Sequence, residues 1–226
     1  MIHSLEIDSI ILEFDSKRVL QDIYLLIETG KATGILGRNG TGKTCLMKII
    51  FGEIKTNNKS IRLDGKTIMV GYRNPGILRY LPQFNFIPKN LKVKRVFKDF
   101  NLDFSRFKLY FPEFEKYYNS KLKMMSSGEI RIIEIYSILA SESKFCMLDE
   151  PFSQVMPVHV ETIKSIIKDE KKRKGIVITD QLYDHVMKIC DEIYLLTNGK
   201  TYLTKNKSDL IKHNYINETI NKKLSK

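Results

Sequence analysis

The feature that most constrains the fold is a glycine-rich stretch between a short apolar run and an amphipathic segment. Residues 37–44 read Gly-Arg-Asn-Gly-Thr-Gly-Lys-Thr, which matches the pattern G-x-x-x-x-G-K-[ST]. The apolar run 33–36 precedes it, and apolar side chains with helical spacing follow over residues 43–51. In this strand–turn–helix context the pattern predicts a P-loop, whose backbone N–H groups surround phosphate oxygens at a helix N-terminus. The chain is therefore predicted to have an α/β fold that binds a phosphorylated ligand.

Two side chains of the predicted P-loop have expected chemical roles. Lys43 is expected to reach the β- and γ-phosphates, and the hydroxyl of Thr44 to complete the coordination of Mg²⁺. The glycines allow the backbone to approach the phosphates closely. The predicted phosphate-binding set is Gly37, Arg38, Asn39, Gly40, Thr41, Gly42, Lys43, Thr44 and Cys45.

A second apolar run ends in two carboxylates. Residues 145–151 read Phe-Cys-Met-Leu-Asp-Glu-Pro, so Asp149 and Glu150 directly follow four apolar residues. A parallel strand carries such residues to the sheet edge beside the P-loop, where Asp149 is predicted to hold Mg²⁺ through water. Glu150 is placed to polarise the water that attacks the γ-phosphate. The alternative interpretation is a pair of surface acids at the end of a strand.

Apolar periodicity in the rest of the chain predicts a mostly parallel sheet. After residue 130, helix-like segments alternate with continuous apolar strands, as in sheets that are covered on both faces. The first thirty residues alternate in a β manner and predict an antiparallel β subdomain. From residue 85 to residue 123 aromatics and lysines dominate and two prolines interrupt the pattern, which predicts an inserted helical subdomain.

These patterns predict one domain over residues 1–226. The β subdomain and the P-loop core are expected in residues 1–84 and 141–205, the helical subdomain in 85–140, and a C-terminal helical tail in 206–226. The sequence has no apolar run of about 18 residues and no signal-like N-terminus, which favours a cytoplasmic chain without a direct membrane span. Its three separated cysteines are typical of a reducing compartment.

Residues 124–129, Met-Met-Ser-Ser-Gly-Glu, begin a predicted helix ahead of the acidic strand. Taken alone, Ser126 is an ordinary helix cap. In order with the P-loop and Asp149-Glu150, the segment resembles the signature motif of ATP-binding cassette (ABC) proteins. The resemblance implies a P-loop NTPase (RecA-like) core that binds ATP and Mg²⁺. It also implies contacts to the γ-phosphate bound by a second chain, from Ser126, Ser127, Gly128 and Glu129.

The same resemblance assigns three further regions. Gln83 corresponds to the glutamine that contacts Mg²⁺ and hinges the helical subdomain. Phe14 corresponds to the aromatic that stacks on adenine, although a core phenylalanine is an alternative. Residues 153–156 match the loop that crosses the dimer interface. The strings 149–157 and 178–180 look most like the subgroup of lipopolysaccharide-export and branched-chain amino-acid ATPases.

The resemblance implies the ATP-hydrolysing motor subunit of a membrane transporter. Such subunits act as a head-to-tail homodimer, or as a heterodimer with another ABC subunit, on a separate transmembrane permease at the inner face of the cell membrane. The net charge of +12 leaves a soluble ATPase acting on nucleic acid or the ribosome as an alternative. Scattered lysines and a single cassette disfavour nucleic acid. A third hypothesis is a near-inactive ATP-binding switch.

Two departures from the family pattern concern catalysis. The interface loop ends in Met156, where the family carries aspartate. Gln181 takes the place of the family's histidine, and an amide can donate a hydrogen bond to the γ-phosphate but cannot become cationic. His185, one helical turn later, would compensate only if the backbone shifted. The predicted catalytic set is therefore Lys43, Glu150 and Gln181.

We expect the purified protein to bind ATP and to hydrolyse it slowly, because the histidine and the aspartate are missing while Lys43, Asp149 and Glu150 are present. Steady-state phosphate release at saturating Mg-ATP measures this. A rate typical of ATPases that carry the family's histidine would contradict the prediction.

Overall fold

The computed structural model describes residues 1–15, 17–68, 73–180 and 183–216, which form twelve strands and seven α-helices. The strands are β1 (Ser4–Asp8), β2 (Leu12–Phe14), β3 (Lys17–Leu20), β4 (Tyr24–Glu28), β5 (Ala32–Leu36), β6 (Ser60–Leu63), β7 (Lys66–Thr67), β8 (Leu78–Leu81), β9 (Phe145–Asp149), β10 (Gly175–Thr179), β11 (Glu192–Thr197) and β12 (Lys200–Thr204). The helices are α1 (Lys43–Phe51), α2 (Val93–Asp99), α3 (Phe104–Tyr110), α4 (Ser127–Ala140), α5 (Pro157–Glu170), α6 (Tyr183–Ile189) and α7 (Lys207–Lys212). Short 3-10 helices cover Pro112–Tyr117 and Leu122–Met124.

The central sheet has six strands in the order β12-β11-β5-β10-β9-β8. All neighbours in it are parallel except β11 and β12. Every residue of β5, β9 and β10 is buried, which is why these strands are continuous apolar runs in the sequence. The predicted α/β class with a mostly parallel sheet is confirmed.

An antiparallel sheet with the order β4-β1-β6-β7 accompanies the central sheet, and β2 and β3 form a separate hairpin. In β1, Leu5 and Ile7 are buried while the residues between them are partly exposed. These two side chains share one apolar cluster with Leu46 and Ile50 of α1 and with strands of the central sheet. Helix α1 therefore anchors the P-loop between the two sheets.

The aromatic residues of the segment after β8 form a buried core. The ring of Phe107 lies 5.2 Å from Phe97, 5.1 Å from Phe111, 5.3 Å from Phe114 and 4.9 Å from Tyr136, measured between centroids. These contacts tie α2 and α3 to α4, and they explain the aromatic composition by packing. The exact limits of the helical subdomain, 85–140, remain a prediction.

Both ends of α4 are capped by side chains. Ser126 and Glu129 form a capping box, with the Ser126 N–H donating to Glu129 Oε2 at 2.8 Å and the Glu129 N–H to Ser126 Oγ at 3.2 Å. At the other end the buried ammonium of Lys174 donates to the carbonyls of Leu139 and Ser141 at 2.7 and 2.6 Å. Burial lowers the pKa of Lys174, and its three N–H donors are accepted by the two carbonyls and, at 3.4 Å, by Ser143 Oγ.

The longest helices, α4 and α5, have 14 residues each. Within the described ranges, no helix is both long and apolar enough to cross a bilayer. At the C-terminus α7 buries Leu210 and ends at Lys212. Residues 217–226 of the predicted C-terminal tail lie outside the described residues.

Candidate nucleotide site

The P-loop connects the buried strand β5 to α1. Gly40 and Gly42 have φ angles of 78° and 99°, in the left-handed region where a side chain would be strained. A Cβ atom on Gly37 would lie only 2.7 Å from the Leu196 carbonyl oxygen. The glycine spacing of the motif is therefore required by the backbone path of this loop.

The ammonium of Lys43 is buried and bonds to backbone carbonyls of its own P-loop. Its Nζ donates to the carbonyls of Gly37 at 2.7 Å and Arg38 at 3.2 Å. Burial lowers the pKa of Lys43, and the nearby carboxylates of Glu150 and Asp149 oppose that shift. A buried cation at the start of a helix, whose first N–H groups have no acceptor within the helix, is a site for a multiply charged anion such as a triphosphate.

Asp149 ends β9 and is held between the two neighbouring strands. The Thr179 hydroxyl donates to Asp149 Oδ1 at 2.6 Å, and the Tyr80 hydroxyl donates to Oδ2 at 3.1 Å. Burial and the negative charge of Asp149 raise the pKa of Tyr80, so its hydroxyl stays protonated. The fully buried carboxylate is thereby satisfied on both oxygens.

Glu150 adopts an uncommon backbone conformation, with a φ of 48°. Its N–H donates to the Thr179 carbonyl at 2.9 Å, which ties this turn to β10. Its Oε2 accepts a hydrogen bond from Gln83 Nε2 at 2.9 Å. The predicted hinge glutamine and the predicted catalytic carboxylate are therefore in direct contact.

A cleft of about 470 Å³ opens at the P-loop. Half of the predicted site residues lie on its walls, together with Val19: it is lined by Phe14, Val19, Asn39, Gly40, Gly42, Lys43, Thr44, Cys45, Gln83 and Glu150. Phe14 is 50% exposed, so the alternative of a core phenylalanine is wrong.

Three predicted P-loop contacts do not line this cleft: Gly37, Arg38 and Thr41. The Arg38 guanidinium instead donates to the Asn214 carbonyl at 2.7 Å, in the segment after α7. The Thr41 hydroxyl donates to the Arg38 carbonyl at 2.8 Å. The side chains of Arg38 and Thr41 thus stabilise the conformation of the P-loop through backbone carbonyls and do not line the cleft.

The predicted signature residues Ser126, Ser127, Gly128 and Glu129 also do not line the cleft of their own chain. They lie at the N-terminus of α4, where the Glu129 carboxylate accepts from the Tyr117 hydroxyl at 2.9 Å. A Cβ on Gly128 would come within 2.8 Å of the Gln154 carbonyl, so this helix end packs against the predicted interface loop.

The two positions predicted to affect catalysis near β10 have different outcomes. Gln181 lies outside the described residues. The His185 ring packs on Phe152, with centroids 5.3 Å apart, and its Nδ1 is buried without a hydrogen-bond partner within the described part of the chain. His185 is therefore a packing residue of α6 here.

Four residues of the site were missed by sequence reasoning: Tyr80, Thr179, Arg131 and Glu134. Tyr80 and Thr179 look like ordinary members of apolar strands, and only the strand register brings them to Asp149. For Arg131 and Glu134 a signal existed, because they are the only charged residues between positions 130 and 140.

The residues present fit Mg-ATP. Oxygen ligands suit Mg²⁺, and the hydroxyl of Thr44 and the amide oxygen of Gln83 supply them on the wall of the cleft. The carboxylate of Asp149 is fully buried and does not line the cleft, which fits the predicted contact through water. The backbone N–H groups at the start of α1 suit phosphate oxygens.

Comparisons with known proteins agree with this geometry. Residues 20–153 match the family described as ABC transporter. The lipopolysaccharide export system ATP-binding protein LptB of Haemophilus influenzae is 30% identical over 218 residues, covering 84% of this chain and 86% of the relative. LptB of Escherichia coli K12 is 27% identical over 82% of this chain and 83% of its own. An uncharacterized ABC transporter ATP-binding protein of Rhizobium meliloti is 31% identical over 88% and 78% of the two chains.

Solved structures share the fold. One described as the ATP binding subunit of an ABC transporter superposes with a TM-score of 0.78 and 18% identity, covering 98% of this chain and 99% of that one. A nucleotide-free ATP-binding cassette from an ABC transporter gives a TM-score of 0.77 with 18% identity over 96% and 97% of the two chains.

We expect Thr179→Val to lower the free energy of unfolding by about 1–3 kcal/mol, because it removes the donor from a buried carboxylate oxygen. Urea unfolding followed by far-UV circular dichroism measures the change. Thr179→Ser keeps the hydroxyl and is the matched control, with an expected loss of about 1 kcal/mol or less for the missing methyl group. Equal losses in both variants would show that the hydroxyl does not support Asp149.

Proposed function

Because the chain belongs to the ABC transporter family, as an ATP-binding subunit, we propose that it hydrolyses Mg-ATP and thereby drives a separate membrane-spanning subunit. The single observation that carries this proposal is the cleft in which Lys43, Gln83 and Glu150 meet. We further propose that two chains dimerise head to tail around ATP. Activity at the inner face of the cell membrane, in the cytoplasm, follows from this role.

The P-loop and Phe14 would bind the nucleotide. The exposed ring of Phe14 is available for stacking on a base, and Lys43 lies on the wall of the same cleft for the phosphates. Lys43 is bonded to two loop carbonyls, so it would exchange these for phosphate oxygens when the triphosphate binds. Its buried position makes that charge pairing stronger than it would be in water.

Thr44 and Gln83, with Asp149 acting through water, would hold Mg²⁺, and the bound ion would supply neutralisation of phosphate charge. Glu150 would accept the hydrogen bond of the attacking water. Its contact with Gln83 orients its carboxylate, and the bond of its N–H to Thr179 fixes its backbone. Hydrolysis by this site therefore depends on the position of Gln83.

The signature residues support a site that is completed by a second copy. Ser126 and Ser127 are exposed at the N-terminus of α4, where the helix dipole favours a negative ligand. None of the four signature residues lines the cleft of its own chain, which leaves them available to a partner's γ-phosphate. At the position of the family's aspartate this chain has Met156, which is exposed directly before α5. Its thioether side chain makes no cap hydrogen bond to the helix.

Two aromatic side chains beside Gln83 support docking of a membrane subunit. Phe84 is 72% exposed and Phe86 is 39% exposed, whereas the neighbouring Ile87 is buried, so only the two aromatic side chains are accessible to a partner. Phe86 also lines a groove of about 260 Å³ with Phe51, Pro75, Arg79 and Phe100, among others. Exposed apolar surface of this kind marks an interaction site.

We expect Glu150→Gln to abolish ATP turnover while the affinity for Mg-ATP stays unchanged, because the amide cannot accept the proton of the attacking water. With ATP the variant should elute as a dimer in size-exclusion chromatography with light scattering. Adding Ser127→Tyr, which blocks the exposed signature segment, should return it to a monomer. Unchanged turnover would remove Glu150 from its role, and a monomer with ATP in Glu150→Gln alone would contradict the head-to-tail dimer.

We expect an integral membrane protein to co-purify with the tagged chain from detergent-solubilised membranes of its own organism. Replacing Phe84 and Phe86 by serine should release that protein, because the exposed aromatic contacts are lost. Leu109→Ser is the matched control, since Leu109 is 83% exposed on α3 and lies away from Gln83 in the sequence. Recovery of RNA or DNA in place of a membrane protein would favour the nucleic-acid hypothesis.

A further inference from the structure

Helix α4 carries a charged pair that is completely buried. Arg131 and Glu134 lie three residues apart on this helix, and both are 0% exposed. Burying an ion pair costs free energy unless hydrogen bonds satisfy both partners. The hydrogen bonds of these two side chains therefore indicate which parts of the backbone the pair holds in place.

Glu134 holds the backbone of the segment that follows Gln83. Its Oε1 accepts the N–H of Phe86 at 2.7 Å and the N–H of Ile87 at 2.9 Å. This segment also carries the exposed side chains of Phe84 and Phe86. A carboxylate with two backbone donors is a strong, directional contact, so the path of residues 84–87 depends on Glu134.

Arg131 holds the backbone on the other side of the site. Its Nη1 donates to the Pro82 carbonyl at 2.7 Å, and its Nη2 donates to the Asp149 carbonyl at 3.0 Å and reaches the Glu150 carbonyl at 3.5 Å. The same Nη1 lies 3.7 Å from Glu134 Oε2. One guanidinium thus contacts the residue before Gln83 and both carboxylate-bearing residues.

We propose that Arg131 and Glu134 are positioning residues that connect residues 82–87 to Asp149 and Glu150 through α4. This inference rests on the proposed function and deepens it. When a membrane subunit docks on Phe84 and Phe86, the displacement reaches the carbonyls of Asp149 and Glu150 through the ion pair. A displacement of residues 82–87 therefore reaches Glu150 by two routes. One is the hydrogen bond of the Gln83 side chain, and the other runs through Glu134 and Arg131.

The pair is not built for maximal stability. Arg131 Nε and Glu134 Oε2 are buried and have no hydrogen-bond partner among the described residues, and the ion pair between the two side chains is long. Well-packed apolar residues of similar volume often equal or exceed such a pair in stability. The well-formed bonds of Arg131 and Glu134 all go to backbone groups. These groups belong to residues 82–87, the proposed docking segment, or to Asp149 and Glu150, the carboxylate-bearing turn.

Four variants of the full chain separate positioning from folding. Glu134→Leu and Arg131→Met each leave one buried charge unpaired, so both should lower the midpoint of thermal unfolding. The double variant Arg131→Met/Glu134→Leu should regain thermal stability, because no buried charge remains. Its kcat should stay about tenfold to a hundredfold below that of the parent chain, with the Mg-ATP dissociation constant within about twofold. Glu134→Gln keeps an oxygen acceptor for the two N–H groups and should recover part of kcat.

Lys174→Met is the matched control. Lys174 is a fully buried cation that donates to backbone carbonyls at the opposite end of α4, away from the carboxylates. This variant should lose stability and keep the kcat of the parent chain per folded molecule. A double variant with both parental stability and parental kcat would overturn the proposal, and so would a loss of kcat in Lys174→Met equal to that in Glu134→Leu.

Hydrogen exchange in the nucleotide-free chain distinguishes a failure of this inference from a failure of the proposed function. The amides of Phe86 and Ile87 should exchange faster in Glu134→Leu than in the parent and Lys174→Met. If the parent chain shows no ATP turnover, the proposed function fails and this comparison alone decides the inference. Unchanged exchange at these two amides in Glu134→Leu would overturn it.

Discussion

The buried carboxylate of Asp149 is the group on which the rest of the site depends. A buried carboxylate at the carboxyl end of a parallel strand is tolerated only if its oxygens accept hydrogen bonds. Thr179 of β10 and Tyr80 of β8 supply the donors. Both bonds require the observed register of β8, β9 and β10. Because β10 also pairs with β5, the same register places the P-loop one strand beyond Thr179 and brings Lys43 into the field of both carboxylates.

Helix α4 connects the parts of the molecule that the proposed transport cycle would have to coordinate. Its N-terminus presents the predicted signature residues, its second turn bonds to the proposed docking segment and to the carboxylate-bearing turn, and its C-terminus is capped by Lys174. The aromatic cluster around Phe107 holds the same helix against α2 and α3. These contacts hold the helix at both ends and at its second turn.

The sequence predicted those parts of the site that depend on local geometry. The P-loop glycines are recognisable because only glycine fits their backbone angles and close approaches, and Asp149 and Glu150 because an apolar run ends in two acids. The sequence left the roles of Phe14 and His185 open, since an aromatic ring or an imidazole fits either a core or a binding site. The structure shows that Phe14 lines the cleft and that His185 packs on Phe152.

The amino-acid sequence by itself determined the α/β fold, the phosphate-binding loop and the order of its acidic and signature segments, because each is encoded by residues adjacent along the chain. Only the tertiary structure decided that Thr179 and Tyr80 hold Asp149, that Arg38 bonds to the segment after α7, and that Arg131 and Glu134 bond to the backbone of residues 82–87 and of Asp149. These contacts join residues between 18 and 176 positions apart, and strand register and helix packing, which no local pattern records, bring them together.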